Sequence, residues 1–442
     1  MKKVLIIYPH WPPSNLTGVH RPRLIANFLE DENWQPIILT VDSRYYEELL
    51  EPSLCNTVKK GMRVEYTKAF NIGRPRIIGD IGLRSYFFLL RRAKELLAIE
   101  KIDFIWIPIP SFYVALLGRN LYKRYKVPYG IDYIDPWVRD ISNRKDLRHR
   151  LSNIAAKVLE PLAVRHASLI SGVNADYYRD VLLRNFVKEF ENTDVQEKRI
   201  FYNRHTQGQC IHVDMPYGFD QNDYKAVEQD FSADWLSVNA KNWIYAGAFL
   251  PKSDVFLKSL FKAFKELHAK APTLFNIRFI FIGTGTYVHK SVRQHAIESG
   301  VSDFVLELPE RMPYLKVLSV LKRADMIMIL GSTEAHYTAS KVFQSVLSQR
   351  PIFGIMHKRS SAGNILEEVG ASKFVVHYDP NRADSLDADV MQTLKLAANG
   401  GVKWEPNLTS LSNYSAAVSS RKLAKAMDKI ISLNAKQKIS GS

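Results

Sequence analysis

Residues 337–355, YTASKVFQSVLSQRPIFGI, decide how the rest of the chain is read. Thr338 or Ser340 suits the N-cap of a short helix, because a side-chain oxygen there accepts from a free backbone N–H. Val342, Phe343, Val346 and Leu347 then fall on one face at helical spacing, and Arg350-Pro351 introduces an apolar run that reads as a buried strand. Loop, helix and strand in that order make half of a doubly wound α/β unit. The start of such a helix presents unpaired N–H groups and the positive end of its dipole, so Ser340 and Lys341 stand where an anionic phosphate would be held. Gln344, one turn further on, is within reach of a sugar hydroxyl. The same residues also fit a plain core helix with a capping hydroxyl, since a helix start permits anion binding without requiring it.

A chain of 442 residues suits two domains better than one core. With 46% hydrophobic and 24% charged residues, both domains should be globular. The two cysteines, Cys55 and Cys210, lack metal-like spacing and do not form a disulfide framework, which fits a reducing compartment. No apolar run approaches the roughly 20 residues of a membrane helix, and Met1-Lys2-Lys3 enters a strand too soon for a signal peptide. The expectation is a cytoplasmic chain with at most peripheral contact at the inner face of the cytoplasmic membrane. Net charge is +16, and residues 51–150 hold 20 Lys and Arg against 10 Asp and Glu, a local excess of +10. Without a nucleic-acid motif, that excess points to an anionic membrane surface or an acidic acceptor and not to nucleic acid.

Strands are expected at 3–8, 36–41, 63–67, 104–108, 129–134 and 168–172, alternating with helical stretches such as 20–29 and 84–99. That rhythm is a parallel sheet wound on both faces. Residues 84–99 place Tyr86, Phe87, Leu89, Leu90, Leu96 and Leu97 beside Arg84, Arg91, Arg92 and Lys94, which reads either as a sheet-covering helix or as one lying on a membrane. Between the first strand and helix lies Pro9-His10-Trp11-Pro12-Pro13 and a loop ending at Gly18, a place for a ligand phosphate or an ordinary turn. Asp132-Tyr133-Ile134-Asp135-Pro136-Trp137-Val138-Arg139 puts two carboxylates, aromatics and an arginine at a strand's carboxyl end, where α/β sheets bind ligands. Asp135 before proline also fits simple turn chemistry.

Residues 220–242 are polar and poorly periodic, and serve as the interdomain linker. A second alternation follows, with strands at 243–246, 278–282, 305–307 and 325–330, a loop carrying Lys252, and a Gly283-Thr284-Gly285 turn that lacks the third glycine of a dinucleotide fingerprint. The run 414–431 suits a last helix. The organisation is therefore 1–222, 240–411, and a helix over about 412–433.

The segment Ser340-Lys341-Val342-Phe343 with Arg350-Pro351 resembles the donor-binding helix of GT-B glycosyltransferases of the retaining family-four kind. The opening YPHWPPSNLTGVHRPRLIANFL, the run EPLAVRHASLISGVN and Met215-Pro216-Tyr217-Gly218-Phe219-Asp220 resemble further parts of that family's first domain, and Asp135-Pro136-Trp137 resembles a subgroup from bacterial surface-polysaccharide pathways. The resemblance implies two Rossmann-like domains facing a cleft, with the last helix crossing back to the first domain. It implies a nucleotide-sugar donor held by Gly18, Gly283, Ser340, Lys341, Gln344 and His336. It implies a glycan or lipid-linked acceptor near His10, Trp11, Trp137 and Arg139, with Asp135, Lys252 and Lys341 in catalysis. No metal and no cofactor are expected. Two departures stand out: Gln344 replaces the family's ribose-binding glutamate, and Ala248 replaces an arginine, leaving Lys252 as the loop's one cation. A sugar-nucleotide epimerase or phosphorylase, or a degenerate GT-B partner subunit, are the other readings the sequence leaves open.

Overall fold

A computed structural model of the chain describes residues 1–73, 79–138, 147–187, 200–206, 208–227, 233–285, 290–334, 341–399 and 404–440. The chain divides into two units, Met1–Asp220 with Tyr414–Ser442, and Gln221–Asn413. Each has an α/β architecture built on its own, almost wholly parallel, sheet.

The first unit runs β1 (Lys2–Ile7), α1 (Thr17–Leu29), β2 (Trp34–Val41), β3 (Arg63–Thr67), α2 (Ile81–Ile99), β4 (Phe104–Ile109), α3 (Ala115–Tyr125), β5 (Tyr129–Tyr133), α4 (Leu147–Val164), β6 (Leu169–Gly172), α5 (Ala175–Asn185), β7 (Ile200–Tyr202) and β8 (Gln209–Asp214). Its eight strands are ordered β3-β2-β1-β4-β5-β6-β8-β7, parallel except for β7 against β8. The central strands are buried on both faces, which is why they read as unbroken apolar runs. One face packs against Leu89, Ala93 and Leu96 of α2, Leu117 and Leu121 of α3, Ala156 and Ala163 of α4 and Val181 of α5. The other is covered by Ile25 and Leu29 of α1 together with Leu423, Met427 and Ile430 from the end of the chain. Local signals set the helix ends: Asp80 caps α2 by accepting from the Leu83 N–H at 2.8 Å.

The second unit runs β9 (Lys241–Ala246), α6 (Asp254–Lys270), β10 (Ile277–Ile282), α7 (Val292–Ser299), β11 (Val305–Leu308), α8 (Tyr314–Arg323), β12 (Met326–Leu330), α9 (Lys341–Leu347), β13 (Ile352–His357), α10 (Ser361–Glu368), β14 (Phe374–Tyr378), α11 (Leu386–Ala398) and α12 (Leu408–Leu411). Its six parallel strands are ordered β11-β10-β9-β12-β13-β14. The final helix α13 (Ala416–Ser440) returns to the first unit, where Ser420 donates its hydroxyl hydrogen to the Ile25 carbonyl at 2.9 Å.

Three features differ from the sequence expectation. Short strands β7 and β8 extend the first sheet beyond the alternation, and their few residues carry too little periodicity to be seen. The start of the expected linker is folded. Residues Gln221–Tyr224 form a turn of 3-10 helix on the second unit, with the Tyr224 hydroxyl bonded to the Gln344 carbonyl at 2.6 Å and Asp223 accepting from Tyr314 at 2.9 Å. Finally, the basic side of α2 is largely neutralised. Arg84 is buried and donates to the carbonyls of Phe70 and Tyr45, Arg92 pairs with Glu65 and Glu95, and Arg91 pairs with Glu95. Spacing alone put Arg84 on the polar side; its contacts with those backbone carbonyls take it inward.

Candidate functional site

In the second unit the strand order reverses between β9 and β12, so the loops leaving these strands spread apart at their carboxyl ends and open a crevice. The β9 loop is laced to its neighbours: Gly247 N–H donates to Ile282 O at 2.8 Å, Phe249 N–H to Thr284 O at 3.2 Å, and the Ser253 hydroxyl to Gly331 O at 2.5 Å. Gly247 has φ +122, a conformation glycine alone adopts easily, and a Cβ there would lie 3.4 Å from Lys341 Nζ. Glycine thus lets the β9 backbone run against the lysine amine. Lys341 opens α9 and its Nζ lies 3.7 Å from the centre of the Tyr245 ring. Lys341 as a whole is half-buried, while its amine is fully buried. Burial pushes that amine down from 10.5 to about 7. Among the described residues Lys341 Nζ has no hydrogen-bond partner, and neither has the buried Gln344 Oε1 one turn along.

Two unpartnered polar atoms, a donor and an acceptor, at the same helix start are costly unless something else meets them. Gly283, at the β10 end, turns with φ +69 and bonds Leu308 O at 2.8 Å, joining the β10 and β11 ends. Lys252, in the loop that follows β9, is ion-paired with Glu334. Ser340 and His336, both expected at the donor, lie outside the described residues.

In the first unit the equivalent reversal falls between β1 and β4. Tyr8, at the end of β1, is buried, and its phenol is pushed above the ordinary range by burial and then by Tyr217, Asp135, Tyr46 and Glu48 around it. Half-buried Asp135 therefore sits in the field of this aromatic and acidic cluster, at the carboxyl end of β5. His10 Nδ1 lies 2.8 Å from Glu48 Oε1, and the Ser14 hydroxyl donates to the same oxygen. Burial raises the Glu48 carboxyl, but these two partners outweigh it and hold the group at about 2. A pocket of about 360 Å³ opens beside them, lined by His10, Leu16, Glu48, Asp80, Ile81 and Arg84.

Other expected residues are placed differently. Trp11 is 2% exposed and packs in the core under α1 and α13, so its indole offers no open face. Trp137 is 7% exposed and stacks on Phe112 with ring centres 5.6 Å apart, so that face is also covered. Trp11 lies among Pro9, Pro12 and Pro13 and Trp137 follows Pro136, and both fold inward because an indole buries more apolar area than any other side chain. Arg139 lies outside the described residues. Of the two carboxylates on β5 and its exit, Asp132 is wholly buried and spent on Arg21, whose Nε and Nη2 donate to it at 2.5 and 3.0 Å. Gly18 has a local reason to be glycine: a Cβ there would overlap the Tyr8 hydroxyl oxygen. Sequence reasoning missed Tyr8, Glu48, Gly247 and Tyr245; for Tyr245, the aromatic two residues before a loop glycine was the available signal.

Among the described residues no three His, Cys, Asp or Glu gather as metal ligands, and no helix is long and apolar enough to cross a membrane.

No family model and no curated protein matches the chain in sequence. Solved structures do match in shape. The chain is similar to the N-terminal domain of Candida albicans trehalose-6-phosphate phosphatase, with TM-score 0.63, 13% identity, and coverage of 98% of this chain and 97% of that one. It is similar to α,α-trehalose 6-phosphate synthase from Burkholderia multivorans, with TM-score 0.61, 12% identity and coverage of 100% and 98%. It is also similar to Anabaena HepE, solved in complex with UDP and glucose, with TM-score 0.57, 14% identity and coverage of 97% and 100%. The fold is that of GT-B proteins: two Rossmann-like units, one on an eight-stranded sheet parallel but for β7 and one on a parallel six-stranded sheet.

Proposed function

We propose that the chain is a retaining, nucleotide-sugar-dependent glycosyltransferase that loads its donor on the second unit and serves bacterial surface-polysaccharide or glycolipid assembly. The observation that carries this reading is Lys341. A buried amine without a hydrogen-bond partner among the described residues, held against a glycine backbone where the strand order reverses, is matched to a ligand that brings negative charge. Gln344 Oε1, also unpartnered among the described residues, would accept from a ribose or sugar hydroxyl. HepE, similar in fold, is solved with UDP and glucose, and a nucleoside diphosphate is the anion that a GT-B second domain is suited to hold. In that role the protonated Lys341 meets the charge that develops on the departing diphosphate, which is where fixed donors lower a barrier most. Asp135 in the first unit is assigned to hydroxyls of the reacting sugars.

A degenerate, non-catalytic GT-B subunit is the second reading, favoured by Ala248 and by Glu334 engaging Lys252. A screen of nucleotide sugars by thermal shift, followed by assay of nucleoside diphosphate release with and without candidate acceptors, separates them. Transfer predicts a stabilising donor and acceptor-dependent release. Binding without release under any acceptor favours the degenerate subunit, and no stabilisation by any nucleotide overturns the donor assignment.

A further inference from the structure

Helix α4 is inverted relative to an ordinary surface helix. Asn153, Ala156, Glu160 and Ala163, at helical spacing, form the stripe turned into the first unit and are buried. The opposite stripe is Leu151, Ile154 and Val158, which are 58%, 59% and 61% exposed. Three branched aliphatic side chains in a row facing outward cost solvation with no folding gain, so the row calls for a partner.

The charge around the row says which partner. Arg150 and Lys157 flank it and are exposed. Helix α3 packs beside α4 and adds exposed Lys123 and Arg124. The sequences of α3 and α4 contain a single acidic residue, Glu160, and it is buried and paired with Arg184 at 2.9 Å. Exposed α3 and α4 side chains therefore include bases and aliphatics but no carboxylate. A second copy of this chain would set like charges against each other across such a face. On α2, the neighbour of α3 on that sheet face, Phe87 is also 68% exposed.

We propose that the α3–α4 face docks on an anionic lipid bilayer, with Leu151, Ile154 and Val158 entering the headgroup boundary and Arg150, Lys157, Lys123 and Arg124 reaching lipid phosphates. Long basic side chains lie along an apolar surface while their heads stay at the charged layer, so the two residue types act together. This moves the membrane contact away from α2, whose arginines are paired within the protein. It does not depend on the transferase reading, since docking is a property of the first unit's surface.

The test is co-sedimentation of the full chain with vesicles of phosphatidylcholine alone and of phosphatidylcholine with phosphatidylglycerol, at low and high salt. Two variants accompany it: Leu151→Ser with Ile154→Ser and Val158→Ser, and Arg150→Glu with Lys157→Glu. The expected result is binding to the anionic vesicles only, reduced by salt, and weakened about tenfold or more in each variant. Because all five side chains are exposed, both variants should melt as the native chain does, and nucleotide-induced stabilisation should be unchanged. Equal binding to neutral vesicles, no binding at low salt, or full binding by the serine variant overturns the proposal. A native dimer that the serine variant converts to monomer also overturns it and assigns the row to self-association.

Discussion

Lys341 Nζ is stacked over the Tyr245 ring at 3.7 Å from its centre. The ring is itself fixed, because the Tyr245 hydroxyl donates to the Ala248 carbonyl at 2.7 Å. The face of an aromatic ring attracts a cation, but a desolvated ammonium gains only about 2 kcal/mol there, less than its hydration is worth. Burial wins, and the amine drops to about 7. Near neutral pH the free protein therefore holds part of this lysine uncharged, and an anion bound beside it would favour the charged form.

Proton linkage follows from that. The unfolded lysine titrates at 10.5 and the folded one at about 7, so between those values the unfolded chain holds more protons. Through this group, stability of the free protein is lowest below about pH 7 and rises as pH climbs towards 10.5. A bound diphosphate favours the charged amine and pulls its titration back up, so binding takes up a proton above about pH 7 and weakens with rising pH. Calorimetry near ~pH 8 in two buffers of different ionisation enthalpy should show uptake approaching one proton per diphosphate. Identical heats in both buffers would remove Lys341 from the anion site.

Replacing Lys341 separates binding from folding. Lys341→Met keeps the stem's packing and deletes the costly amine, so the free protein should melt at the same temperature or higher, by up to about 1 kcal/mol. Affinity for nucleoside diphosphate should fall by about 1 to 3 kcal/mol, the scale of a charged hydrogen bond. Thermal melts with and without nucleotide measure both. A variant that melts lower and still binds would make Lys341 a packing residue.

The fold was legible because its signals are local. Apolar runs such as Phe104–Ile109 can only be strands buried on both faces, and their alternation with helices dictates parallel order. The site was legible only in part. Lys341 and Gln344 stood out since both lie at a helix start, but what makes Lys341 unusual is Tyr245 and Gly247, brought to it by strand pairing nearly a hundred positions away in the chain. Trp11 and Trp137, which the resemblance put near the acceptor, are both buried, and that burial is decided by tertiary packing that no local run of residues reveals. The partition between Asp132 and Asp135 was equally invisible, because Arg21 reaches β5 from α1.

That partition predicts opposite phenotypes for two aspartates three positions apart. Asp132 accepts from Arg21 and from the Ser171 hydroxyl at 2.6 Å, entirely out of water. Asp132→Ala leaves a buried guanidinium uncompensated and should cost about 3 to 5 kcal/mol. Asp135→Asn changes charge but not volume, so it should leave the melting temperature nearly unchanged while lowering turnover by about 100-fold. Chemical denaturation and a transfer assay on both variants decide the matter. An unstable Asp135→Asn chain, or one with normal turnover, would return Asp135 to turn chemistry.

The Gly18 position gives a test whose sign alone is decisive. In a helix, alanine ordinarily improves on glycine by about 1 kcal/mol, because it restricts the unfolded backbone. Gly18 lies in the first turn of α1, yet an added methyl would overlap the Tyr8 hydroxyl oxygen, while its next contacts, Tyr8 Cζ and Pro110 Cδ, lie at an ordinary 3.5 Å. The hydroxyl is therefore the main obstacle. Gly18→Ala alone should destabilise by about 1 to 3 kcal/mol, the usual cost of overpacking a buried site. With Tyr8→Phe in the background, the same change should become neutral or stabilising, because the obstructing atom is gone and the helix preference is released. Denaturant titration of the two single variants and the double variant closes the cycle. A strongly destabilised double variant would show that the glycine is needed for backbone conformation and not for clearance. A Gly18→Ala chain that folds normally but loses nucleotide binding would instead place the glycine's importance at the ligand.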